Sequence, residues 1–348
     1  MQTFGELTSL RTKVGFLSRP ESFPDHPASV EVIETHFAWV FLSRAFVYKL
    51  KKPIRFHDFD FTSLQARRAN CELEMALNRR LAEAVYISVV PLGVSGSNLA
   101  LECAAGPVDW LVKMHRLARE RMLDQAAPHG SVGDRDLIPL LDKLAAFYSR
   151  TSRTAWDGPA YRQTLTRQIE GSAAQLAAPD LGMDASGARE LADAQLDFIA
   201  ANSGQFDARV TAGRVVDAHG DLRPEHIFLS ADPQIIDCLE FSADLRMLDT
   251  AEEISFLALE CERLGFAPIG KRVFELYRQR CDDRITEELF RFYRSRRALT
   301  RAVLSAWHLR DDLTGAAAQR WLERANWYVR TACEAIGADT APATLRCG

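Results

Sequence analysis

No apolar run in the 348 residues approaches the ~18 needed to cross a bilayer. Met1 to Pro20 also lacks the charged-then-apolar order of a signal peptide. These two absences argue against a membrane protein and against secretion. No Lys/Arg tract with interleaved aromatics occurs, and 43 basic against 47 acidic side chains leave a formal charge of −4. A nucleic-acid-binding reading has no support in that balance. Cys71, Cys103, Cys238, Cys261, Cys281, Cys333 and Cys347 are odd in number, scattered, and contain no C-x-x-C pair. They form neither a disulfide framework nor a zinc-ligand pattern, so reduced thiols in a cytoplasmic protein are expected. Internal repeats and low-complexity tracts are missing as well.

What is present is ordinary globular composition, 47% hydrophobic and 26% charged, with enough length for two lobes. The first third reads as strands. "SVEVIET" (29–35), "FAWVFLS" (37–43) and "AFVYKLK" (45–51) are rich in β-branched and aromatic residues and separated by very short breaks. Such spacing predicts an antiparallel meander, because parallel pairing needs a long crossover. An aromatic loop (53–62) leads to a helix over 63–83, with Ser63 as N-cap and Leu64, Leu73, Leu77 and Leu81 able to share a face. Strands are predicted at 85–94, 99–104 and 107–114. From Arg116 the pattern turns helical: 116–126, 134–151, 159–177, 186–203, then 249–264, 269–281, 284–311 and 316–336. The expected architecture is α+β, with a β-rich N-terminal lobe over 1–112 carrying one prominent helix. A mainly helical lobe follows over 113–338, and then a loose tail over 339–348.

One stretch breaks the helical half. "VVDAHGDLRPEHIFLS" (215–230) passes from an apolar run through His219-Gly220-Asp221 to a second apolar run, and "SADPQIID" follows as a turn, a short strand and Asp237. This predicts a hairpin with Asp221 before its first strand and Asp237, sixteen residues on, at the end of its second. Neighbouring carboxylates repel unless a cation compensates them, so a divalent metal with a phosphate substrate is the economical reading.

H-G-D-x-x-x-x-x followed by I-I-D resembles the catalytic and metal-binding loops of aminoglycoside phosphotransferase-like kinases, relatives of the protein kinases. "AFVYKLKKP" resembles their third strand, and the 63–83 helix their C-helix. "LVKMHRL" (111–117), with Met114, stands where the hinge would join the lobes. The string as a whole, roughly Glu31 to Glu262, further resembles a bacterial subgroup in which such a domain is often fused to a P-loop ATPase. No GxxxxGK[ST] occurs here, so a P-loop ATPase would be a separate partner.

The resemblance implies ATP and Mg²⁺ as cofactors and a small-molecule hydroxyl as acceptor, with neither nucleic acid nor membrane as partner. Asp221 would orient the attacking hydroxyl, Asp237 would hold the metal, Lys49 would grip the α/β-phosphates and Glu74 would fix Lys49. Lys51 and Lys52 compete with Lys49, and Glu72 with Glu74. The chain departs from the pattern twice. His226 stands where the second metal ligand is normally Asn, and imidazole suits softer metals such as Mn²⁺ better than Mg²⁺. No G-x-G-x-x-G joins the first two strands, leaving Thr35 and His36 of "ETHFAW" as phosphate donors. The alternative is a pseudokinase-type module that binds nucleotide or a partner without turnover.

Other charges carry bland readings beside functional ones. His219 suits a backbone-bonded structural role. Asp249 and Glu253 suit a helix start, with Asp249 or Asp244 able to pin the loop through Arg246. Arg291, Arg294, Arg297 and Arg301 recur at helical spacing, as a solvated face, as partners of a neighbouring helix, or as a dock for an anion. The acidic clusters "CDDRITEE" and "RDDL" offer carboxylates of the kind a polycationic acceptor would need.

Overall fold

The computed structural model describes residues 8–56, 59–178, 181, 185–310 and 315–337. The tail expected over 339–348 lies outside them. The chain divides into two compact units, one of residues 1–130 with 225–243 and the other of 131–224 with 244–348. Among the described residues no helix is long and apolar enough to cross a membrane.

The first unit is built on an antiparallel six-stranded sheet. Its strands are β1 (Glu31–Glu34), β2 (Ala38–Leu42), β3 (Phe46–Lys51), β6 (Tyr86–Ser95), β7 (Asn98–Leu101) and β8 (Asp109–His115), in the order β1-β2-β3-β8-β6-β7. Between β3 and β6 a two-stranded ribbon, β4 (Arg55–Phe56) with β5 (Phe59–Asp60), replaces the expected aromatic loop. Period-two alternation gives the sheet two apolar faces. Phe41, Tyr48, Leu50, Leu92 and Leu111 cluster with Leu17 of α1 (Leu10–Leu17) on one side. Val112 and Met114 of β8 cluster with Cys71 and Ala82 of α2 (Leu64–Ala82) on the other. The sequence reading passed over α1, whose eight residues are too few for a clear period.

Ser63 caps α2, accepting the Ala66 N–H at 3.1 Å. The buried stripe of α2 is not the expected leucine face, because Leu73 is 43% exposed. Arg67, Asn70, Cys71, Glu74, Leu77, Asn78 and Leu81 face inward instead. A polar stripe can be buried when its groups are paired. Arg67 bonds Asp109 at 2.7 Å, and Asp109 also takes Lys13 of α1 at 2.8 Å. The helix expected over 116–126 is only a 3₁₀ turn followed by α3 (Leu123–Ala126).

The hairpin formed by β10 (Ile227–Phe228) and β11 (Gln234–Ile235) counts with this first unit. It pairs Ile227 with Ile235 and Phe228 with Gln234, and the Ile236 N–H closes on the His226 carbonyl at 2.9 Å.

The second unit is helical. It contains α4 (Asp134–Arg150), α5 (Gly158–Leu176), α6 (Ala185–Ala201), α7 (Ser203–Thr211), α9 (Thr250–Arg263), α10 (Ala267–Arg280), α11 (Glu287–Trp307) and α12 (Ala316–Ile336). The short α8 (Ala243–Arg246) runs across the division between the units. Two short strands, β9 (Val215–Asp217) and β12 (Met247–Asp249), pair antiparallel and lead into the 219–221 loop and into α9 respectively. Helix α7 went unpredicted because "NSGQFDARVTAG" shows no apolar period. Only Phe206 and Arg209 of it are buried.

Candidate functional site

Alternation along β3 turns Lys49 and Lys51 away from the Tyr48/Leu50 face and toward α2. There they meet one carboxylate, that of fully buried Glu74. Lys49 Nζ lies 2.9 Å from Glu74 Oε1, and Lys51 Nζ contacts Glu74 Oε2. Each lysine has a second partner from the segment after β11, Asp237 Oδ1 at 2.7 Å for Lys49 and Glu240 Oε1 at 2.5 Å for Lys51. Lys52 instead points to exposed Glu34, and Glu72 to Arg68 one turn earlier on α2. Lys49 and Glu74 are thus brought together, and Lys51, weighed as a competitor for Lys49, is a second member of the same cluster.

Asp237 adopts a left-handed backbone, φ +61°, which Asp tolerates better than most residues. Two neighbours hold it there. The Asp237 N–H donates to the Tyr86 hydroxyl at 3.2 Å, and the Cys238 N–H to Asn78 Oδ1 at 2.8 Å. Asn78 Nδ2 in turn donates to the Glu74 main-chain carbonyl at 2.8 Å, so one turn of α2 both carries Glu74 and holds the backbone next to Asp237.

The charges of this cluster support one another. Desolvation alone would raise the pKa of Asp237, but Lys49 and then His226 hold it well below the usual carboxylate range. Burial would likewise raise Glu74, and Lys49 and Lys51 outweigh it and lower it. Burial would lower Lys49 and Lys51, but Asp237 and Glu74 raise the first, and Glu240 and Glu74 the second. For the carboxylates, the folded pKa lies below the unfolded one. Their stabilisation is therefore present above the ordinary value of about 4 and is lost as pH falls through the folded value. For the lysines the folded pKa is raised, so their stabilisation is lost only as pH rises past the ordinary value of about 10.4 toward the folded one. The difference in melting temperature between wild type and Lys51→Met is therefore expected to stay constant from about pH 5 to about pH 9 and to shrink below about pH 4. A difference that changes inside that plateau contradicts the charge pattern.

His226 Nε2 stands 3.5 Å from Asp237 Oδ2. Among the described residues no three His, Cys, Asp or Glu side chains are grouped to hold a metal. A hard cation that takes most of its ligands from water and nucleotide phosphates needs only one or two protein carboxylates. Asp237, 44% exposed at its side chain, fits that demand, whereas the His226 imidazole suits a softer ion. Thr35 and His36 form the exposed turn between β1 and β2. Thr35 Oγ1 donates to the Ala38 carbonyl at 2.9 Å, and the His36 ring packs edge-on against Phe37 at 4.6 Å. Met114 is buried in β8, in register with Val47 and Tyr86.

Asp221 belongs to the second unit, in a loop tied down from beneath. Gly220, at φ +86°, makes the turn into it, and the Asp221 N–H donates to Nδ1 of fully buried His219 at 3.3 Å. Glu253 of α9 accepts the Gly220 N–H at 2.6 Å and the Tyr148 hydroxyl at 2.8 Å, and burial pushes its pKa up. Arg223 Nε lies 3.1 Å from Asp221 Oδ2. Glu253, read as a partner of the helix dipole, is thus the loop's anchor. Arg246 pairs with Asp217 at 2.7 Å. Asp249 does cap α9, accepting the Ala251 N–H at 2.8 Å.

No protein-family model matches the sequence. Uncharacterized proteins of Mycobacterium tuberculosis and Mycobacterium bovis are 28% identical over 300 residues, 84% of this chain, which spans 59% of their length. Among solved structures, a mutant aminoglycoside 2'-phosphotransferase IIIa in its GDP complex superimposes with a TM-score of 0.53 at 16% identity, covering 95% of this chain and 100% of the other. Choline kinase from Cryptosporidium parvum gives 0.51 at 11%, covering 95% and 98%. A choline/ethanolamine kinase family protein from Mesorhizobium loti gives 0.50 at 14%, covering 93% and 98%.

The chain has a protein-kinase-like fold.

Within that fold the sequence reading missed Glu240 and the buried role of Lys51. The signal was available, because residues 49 and 51 of one strand must share a face and two lysines there require more than one carboxylate.

Proposed function

We propose that the protein is an ATP-dependent phosphotransferase acting on a hydroxyl of a small molecule. The observation that carries this reading is Lys49 suspended between Glu74 and Asp237 on a protein-kinase-like sheet and helix. Lys49, positioned by Glu74, contacts the α/β-phosphates, and Asp237 holds the metal that accompanies the nucleotide. Such an ion, when bound, neutralises charge on the phosphate oxygens. Asp221 takes the proton of the acceptor hydroxyl. The acceptor oxygen forms a bond to the γ-phosphorus, the bond from that phosphorus to the β-phosphate oxygen breaks, and ADP leaves with the electron pair. Positioning and electrostatics supply most of the acceleration in such a reaction. Thr35 and His36, on the exposed β1–β2 turn, remain the donors assigned to the phosphates, and Met114 on β8 a nucleotide-binding residue of the hinge segment.

His226 sets the test. ATP consumption by wild type is expected with both Mg²⁺ and Mn²⁺, with Mn²⁺ relatively favoured. His226→Asn, which supplies an oxygen ligand, is expected to move that preference toward Mg²⁺. If the preference is unchanged, His226 is not a ligand. ATP binding without consumption under either metal supports the pseudokinase-type module instead. A separate P-loop ATPase partner, implied by the sequence resemblance alone, belongs to the proposal, and co-purification tests it.

A further inference from the structure

We propose that the acceptor is an anion, a small molecule carrying a phosphate or carboxylate group beside its hydroxyl, and that Arg301, Arg297 and Arg223 bind it next to Asp221. The arginine stripe of α11 divides by its partners. Arg294 pairs with Glu262 of α9 at 2.7 Å, so the outer part of the stripe is a link between helices. Arg297 is buried. Its Nη2 donates to the Gly220 carbonyl at 3.0 Å, one residue before Asp221, and its guanidinium lies 4.0 Å over the Phe256 ring. Arg301, one turn further, lies 5.8 Å over the same ring. The nearest carboxylate to Arg301 is Glu260 at 3.7 Å, beyond hydrogen-bond reach. The Nε atoms of Arg297 and Arg301 are both buried without a hydrogen-bond partner. Both guanidinium groups also feel the Asp221 carboxylate.

Glu252 and Glu260 stand 3.7 Å from Arg297 and Arg301 respectively, and the closer hydrogen bonds of the surrounding carboxylates go to other groups. Glu252 is taken by Arg296, Glu253 by Gly220 and Tyr148, and Glu260 by Arg263 at 2.8 Å and by Tyr328. Asp283, from one of the acidic clusters, is buried against Arg209, and Asp311 and Asp312 of the other lie outside the described residues. A cationic acceptor brought to Asp221 would therefore meet guanidinium groups and lose affinity to like-charge repulsion. An oxyanion would find planar donors matched to it. Arg223, Arg301 and Arg297 keep 20%, 13% and 10% of their side chains exposed, so each retains some surface open to solvent.

This inference rests on the phosphotransferase reading for the chemistry at the hydroxyl, but the binding it asserts is measurable without turnover. Four sugars that differ mainly in charge serve as probes: glucose 6-phosphate, gluconate, glucose and glucosamine. Calorimetric titration of each into the full chain without nucleotide is expected to show the two anions binding and glucosamine not binding. Arg301→Gln is expected to weaken anion binding roughly tenfold or more, the scale of a lost charged hydrogen bond. Arg301→Lys, which keeps the charge, is expected to retain part of it. ATP affinity and melting temperature are followed in both variants, so that a folding defect is seen as such. Glucosamine binding at least as tightly as the anions overturns the proposal, as does anion binding indifferent to Arg301 or no binding of any probe. Anion binding without ATP consumption retires the phosphotransferase reading and leaves the anion site standing. ATP consumption with glucosamine alone does the reverse.

Discussion

Asp221→Asn is expected to bind nucleotide as the wild type does and to turn over about 10²–10⁴-fold more slowly, the usual loss when a positioned proton acceptor is removed. The substitution is conservative for the fold. The Asp221 side chain is 24% exposed and pairs with Arg223, and the loop beneath it is held by Glu253, Tyr148 and His219 through groups that Asn leaves in place. What changes is basicity, since an amide cannot take the hydroxyl proton. The loss should therefore fall on kcat, with the KM for ATP little changed, because the interaction is made in the transition state. Turnover within a factor of two of wild type would remove Asp221 from the mechanism. Weakened ATP binding would move it to a different role.

The second large effect concerns stability in the helical unit. Arg209→Met is expected to lower its unfolding free energy by about 3–5 kcal/mol, because breaking a buried ion pair on one side strands the other charge. Arg209 reaches Asp249 through Nε at 2.7 Å and Nη2 at 2.6 Å, and its Nη2 also reaches Asp283 at 2.7 Å. Asp249 is fully buried and takes the Tyr293 hydroxyl at 2.8 Å as well. Burial would raise the pKa of Asp283, and Arg209 reverses this and lowers it. With Met at 209, two buried carboxylates lose their common cation. Arg209→Lys keeps the charge but not the forked geometry, so an intermediate loss is expected. Urea denaturation followed by circular dichroism reads both. A loss under about 1 kcal/mol for Arg209→Met would mean that the network contributes little beyond packing.

Local chemistry was legible in the sequence wherever one short segment carried it. The β2–β3 hairpin, the Ser63 cap and the 227–235 hairpin follow from alternation, capping chemistry and turn residues, none of which depends on distant partners. The inner face of α2 was misjudged for the opposite reason. Glu74 and Arg67 turn inward only because Lys49, Lys51 and Asp109, remote in sequence, meet them there. Hydrophobicity alone favours Leu73, which ends exposed. Glu253 is a similar case. Its place under Gly220 depends on how β9, β12 and α9 come together, and one sequence gives no pairing between residues 220 and 253. The arginines of α11 show both outcomes, since helical spacing predicted one stripe and the partners of each position decided whether it bridges helices, packs on Phe256 or stands beyond hydrogen-bond reach of its carboxylate.

The measurement closest to the central claim is calorimetric titration of ATP, in the presence of Mg²⁺, into wild type and Asp237→Asn. Asp237 is the point where the Lys49–Glu74 pair, the hairpin and the proposed metal role converge. The phosphotransferase account predicts binding by the wild type and at least roughly tenfold weaker binding by Asp237→Asn, since a hard anionic ligand is lost. Equal affinity of the two proteins, or no binding by the wild type, would contradict it.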